Sequence, residues 1–164
     1  MRKTHIKYKT SLDNLKNEKY TIIGKIEDVL NDPRGWKKCG YTFERKPDKT
    51  SDNEVDLIIK VVPNNIVKKI CGFDGLSCAD HGDPKLQLIY FNLEKWKNGC
   101  EKSKLSLDLY RTYVINHEIA HILDKHHLKL SDCKAGSLVP VRIPQTLGIG
   151  NCEPNPYPLA GKDY

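Results

Sequence analysis

SLDLYRTYVINHEIAHILDKHH, residues 106–127, reads as one long helix that ends in a turn. Ser106 can cap the helix and Asp108 suits the positive end of its dipole. Leu109, Tyr113, Ile119, Ile122 and Leu123 recur at helical spacing. On such a helix His117 and His121 stand four residues apart, so both imidazoles leave one face and can grip a single ion. Glu118 is rotated from His117 by about 100°. It is poorly placed to chelate with the two histidines and well placed to act as general base toward a water beside the ion. Two ligands are too few for a tight catalytic zinc. The third must come from beyond the helix, and His127, ten residues after His117, becomes available once the chain turns back. Aspartate tolerates positive φ better than most residues, so Asp124 marks where helix gives way. His126 is the neighbouring rival for the third place. Three neutral imidazoles around one Zn2+ leave the fourth tetrahedral position open, which separates a catalytic zinc from a closed structural one. The plainer alternative is a set of solvent-facing helical histidines without metal.

Upstream, LQLIYFN (residues 86–92), VDLIIKVV (55–62) and residues 41–45 are β-branched and extended in character and predict strands. PNNIVKKI begins with Pro63, a favourable first-turn residue, and predicts a short helix. TIIGKIEDVLND stops before Pro33, with residues 26–30 inside a first helix. Residues 1–20 are basic and predict a mobile segment, leaving 21–164 as the folded domain. Downstream of the metal helix, Gly136, Pro140, Pro144, Gly148, Gly150, Pro154, Pro156 and Pro158 exclude long regular elements. The result is one α+β domain with a small mixed, twisted sheet, two main helices and an irregular C-terminal part.

A chain of 164 residues buries one core, so one active site is expected. Net charge is +6, and 22 of the 27 basic residues are lysine, spread over the first half. Arginine forks and interleaved aromatics are scarce, so the charge reads as a solvated surface and nucleic acid is not expected as a partner. No stretch approaches the ~18 apolar residues of a membrane span. No apolar run follows the basic N-terminus as in a secretory signal. The cysteines Cys39, Cys71, Cys78, Cys100, Cys133 and Cys152 form no C-x-x-C pair, so disulfides and an oxidising destination, secreted or virion-associated, are the leading reading. A Cys71 to Cys78 bridge would close the short GFDGLS loop. A structural zinc on Cys71, Cys78 and His81 competes with it but lacks a fourth ligand. His5 and His81 otherwise read as surface residues.

H-E-x-x-H with a further histidine ten positions after the first resembles the metzincin clan of zinc peptidases. The wider chain is similar to a little-characterised, mainly actinobacterial family of metzincin-like proteins. The likeness rests on Asp32-Pro-Arg-Gly-Trp36, Gly40, Phe43-x-Arg45, Cys71, Cys78, Trp96, Gly99 and Tyr110-Arg-x-Tyr-Val-x-Asn-His117. Beyond the metal helix it continues through Cys133, Gly136, Pro140-Val141, Gln145-Thr146, Gly150-x-Cys152 and Asn155-Pro-x-Pro158. The resemblance implies zinc at the floor of a cleft, peptide-bond hydrolysis, and substrate lying extended along an edge strand, assigned to residues 86–92. It also implies disulfides Cys71 to Cys78 and Cys133 to Cys152. Cys39 and Cys100, outside its pattern, would make a third pair. Two positions depart from it. Asp124 replaces a glycine, and Pro140-Val141-Arg142 stands where the family has Pro-Val-Met. Either Arg142 points to solvent and Ile143 fills the floor, or the site is altered.

The function expected is that of a monomeric zinc metalloendopeptidase acting on a peptide or protein substrate. The missing turn methionine supports a different reading, a catalytically silent zinc-binding scaffold that recognises a peptide or protein partner. A basic nucleic-acid or packaging protein with an incidental metal motif is the third.

Overall fold

The chain lays down β1 (His5–Ser11), α1 (Lys19–Asn31), β2 (Thr42–Arg45), β3 (Leu57–Val62), α2 (Asn64–Cys71), β4 (Cys78–Asp80), β5 (Gln87–Asn92), α3 (Leu93–Asn98) and α4 (Leu107–Ile122). These are the elements of a computed structural model that describes residues 3–12, 14–80 and 82–164. The strands form one mixed sheet in the order β2-β1-β3-β5-β4, parallel except for the antiparallel β4-β5 pair. This is the predicted α+β class.

One sheet face is apolar because alternate strand residues point to it. Ile6 and Tyr8 of β1, Leu57, Ile59 and Val61 of β3, and Ile89 and Phe91 of β5 belong to the main core. The register sets Ile59 beside Ile89 and Val61 beside Phe91, so the apolar rows align. Ile22, Ile26 and Val29, one stripe of α1, join that core together with Tyr110, Tyr113, Ile115 and Ile119 of α4. All of residues 112–120 in α4 are buried. Core packing covers one side of this helix, and the irregular C-terminal part covers the other. A helix enclosed all round needs no polar stripe.

The predicted mobile segment, residues 1–20, is corrected over its described residues, 3–12 and 14–20. Residues 5–11 pair with both β2 and β3, and α1 has begun by Lys19. Ile6, Tyr8 and Thr10 alternate with Lys7 and Lys9, and the lysines mask a period-2 pattern. Lys9 is itself buried, its ammonium 2.6 Å from the Thr50 carbonyl and 2.6 Å from the Asp52 carboxylate. Residues 86–92 are also corrected as the sheet edge. β5 lies inside the sheet, and the outer strand on that side is β4, whose three residues carry no apolar run.

Cys71–Cys78 and Cys133–Cys152 are paired, with Cα separations of 6.4 and 6.5 Å. They fit an oxidising compartment. The third pair is corrected: Cys39 and Cys100 are free. Cys39 lies near Lys125 and Asp163, whereas the Cys100 thiol donates to the Thr146 carbonyl, so each has its own surroundings. His81, proposed both as a surface residue and as a rival ligand, lies outside the described residues. Among the described residues no helix is long and apolar enough to cross a membrane.

Candidate metal centre

α4 begins at Ser106, whose hydroxyl accepts from the Leu109 N–H, as the capping argument predicts. It ends at Leu123, and Asp124 follows at φ 59°. That left-handed residue turns the chain back and carries His127 toward the helix it has just left. From below, the Asp32–Trp36 turn presses on the same helix: Trp36 Nε1 donates to the Asn116 carbonyl at 3.0 Å. The approach is tight at Gly35, where a Cβ would stand 3.2 Å from the Val29 carbonyl oxygen and 3.5 Å from Asn116 Oδ1.

His117, His121 and His127 come together with one ligand atom each, all within 4.8 Å of one another. Nε2 of His127 lies 3.2 Å from Nε2 of His117 and 3.0 Å from Nε2 of His121. Tetrahedral zinc with nitrogens at about 2.0–2.1 Å sets its ligands roughly 3.3 Å apart, so both separations from His127 suit that ion. The Nδ1–H of His117 donates to the Val141 carbonyl, which leaves Nε2 as the nitrogen with the free lone pair. Burial, reinforced by the charge of His121, pushes the His117 pKa down to about 3 and keeps the ring neutral. Desolvation lowers that of His127 as well. The cluster could hold a metal ion. His126 is not part of it; its backbone carbonyl is occupied by Arg142. His5 pairs with Thr42 and Glu44 on the sheet.

Glu118 is 2% exposed, and its Oε2 meets no hydrogen-bond partner in the protein. Burial pushes its carboxyl pKa up to about 8. A polar atom left so in the interior is costly unless something in the cleft engages it. The cleft measures about 350 Å³ and is walled by Phe73, Val114, Pro144 and Leu147, with Ser77, Cys78 and Ala79 along one side. Ala79 and Cys78 belong to β4, so an edge strand borders the histidines and Glu118.

Two contributors were not singled out from the sequence as parts of the site. Tyr113 sits one turn before His117, its hydroxyl accepting from the Gln145 N–H at 2.8 Å. The Val141 carbonyl orients His117. Tyr113 had a signal, its i−4 spacing from His117; Val141 acts through a backbone atom, which no motif encodes. Arg142, where the family resemblance expects methionine, commits its guanidinium to the carbonyls of His126 and Lys162. Ile143 packs into a second small core with Val139 and Ile149.

Residues 5–158 match the model of a family described as "Protein of unknown function (DUF3152)". No curated protein matches the chain.

Proposed function

We propose that this chain, which belongs to the DUF3152 family, is a zinc-dependent peptidase of the metzincin type, with His117, His121 and His127 as ligands and Glu118 as general base. One observation carries the reading: three lone-pair nitrogens converge beside a buried carboxylate whose oxygen lacks a partner, within a cleft bordered by an edge strand.

Bound there, zinc supplies a Lewis acid that acidifies water and polarises a carbonyl. The protein's own groups do the remainder. The Val141 carbonyl fixes the tautomer and orientation of His117. Burial raises the Glu118 carboxyl pKa, and beside the charge of the bound cation the group reverts to the ionised form, in which it takes the proton from the attacking water and returns it to the leaving amine. β4 pairs with β5 on one side, which leaves its other edge to receive an extended peptide by backbone hydrogen bonds. The walls formed by Phe73, Val114, Pro144 and Leu147 suit an apolar side chain near the scissile bond.

The silent-scaffold reading drew on arginine replacing methionine. With the guanidinium engaged by the carbonyls of His126 and Lys162, that ground weakens. Glu118→Ala should keep one zinc per chain while hydrolysis of a generic protein substrate falls about 10²–10⁴-fold. Cleavage by the variant at the parental rate would refute the mechanism.

A further inference from the structure

We infer that Arg142 is a positioning residue for the third ligand, clasping the chain on both sides of His127, and that Asp163 holds the clasp in place. The inference rests on reading His117, His121 and His127 as metal ligands.

His127 is exposed and follows α4 on a stretch without regular structure. Its ring keeps its aim only if the backbone at 126–128 is held. One residue does this from both directions. Arg142 Nε donates to the His126 carbonyl at 2.8 Å, and the Leu128 N–H donates to the Arg142 carbonyl at 3.1 Å. The carbonyl of the preceding residue, Val141, accepts the Nδ1–H of His117. The dipeptide Val141-Arg142 therefore orients one ligand directly and a second through its neighbours.

The dipeptide is fastened from behind by Asp163, which is fully buried. Its Oδ1 accepts the Arg142 N–H at 3.0 Å, and its Oδ2 accepts the N–H groups of Val141 at 3.2 Å and Leu159 at 2.8 Å. Arg142 Nη1 donates to the Lys162 carbonyl at 3.1 Å. A methionine at 142 could make neither guanidinium bond. Asp163 lies past residues 5–158, the span that matches the family model.

The test is a double-mutant cycle read by zinc affinity, measured in competition with a chelator, for the parent, Arg142→Met, His127→Ala and the double variant. Arg142→Met should weaken zinc roughly 10–100-fold and shift the visible absorption of the cobalt(II)-loaded protein. In the His127→Ala background the same substitution should cost nothing further, because its effect runs through His127. Unchanged affinity and spectrum in Arg142→Met, or an equal additional loss in the His127→Ala background, would overturn the inference. If circular dichroism shows Arg142→Met unfolded, the cycle is decided with Arg142→Lys, which keeps a charged stem but not the guanidinium fork. A parent chain that takes up no zinc, or a His127→Ala variant that binds it as tightly as the parent, overturns the metal reading and this inference together; a parent that loses affinity with His127→Ala but not with Arg142→Met overturns this inference alone.

Discussion

His127 faces the other two imidazoles because Asp124 adopts φ 59°, a conformation in which a Cβ crowds the following carbonyl. Aspartate tolerates this; a β-branched residue does not. Asp124→Val should cost about 1–2 kcal/mol in chemical denaturation and weaken metal uptake, whereas Asp124→Gly should preserve the turn. The helix histidines and Asp124 could be found from the sequence because residue type and spacing express their roles directly. The clasp at Arg142 could not. Its bond to Asp163 spans 21 residues and joins a carboxylate to a main-chain N–H, and every residue except proline offers that donor.

Among the elements, α4 was readable for a related reason: its cap, its apolar spacing and two of the three clustered histidines fall within one continuous segment. β1 was not, since its lysines outweigh an alternation only a few residues long. β4 is three residues of a segment whose cysteines drew attention to a loop. The β1-β2 seam also carries a pH-sensitive contact. Lys46 first, and His5 on β1 second, hold the Glu44 carboxyl down to about 2 from an ordinary 4.5. The folded value lies below the unfolded one. The ionised group therefore stabilises the fold above about pH 4.5, and that contribution is lost as pH falls through about 2. Glu44→Gln should lower the urea midpoint at pH 7 and leave it unchanged below about pH 2. Because the Glu44 side chain is 41% exposed, the difference should be small and should shrink in salt.

Across the whole molecule, α4 is gripped between a sheet-based core and a C-terminal part that lacks a sheet of its own. Cys133–Cys152 closes a ring with a sequence separation of 19 around the second core and the Val141-Arg142 turn. In the chain-entropy picture that closure contributes about 3 kcal/mol, so replacing both cysteines with serine should lower the unfolding free energy by that amount. The strand order has a separate bearing on biosynthesis. β1 is flanked by β2 and β3, both of which are translated after it. At about 5–20 residues per second, a ribosome needs roughly 3–10 s to pass from Ser11 to Val62. Until β2 is made Ile6 has no strand partner, and until β3 follows the sheet is incomplete, so the nascent chain presents a sticky, half-made edge that holdase chaperones are suited to shield.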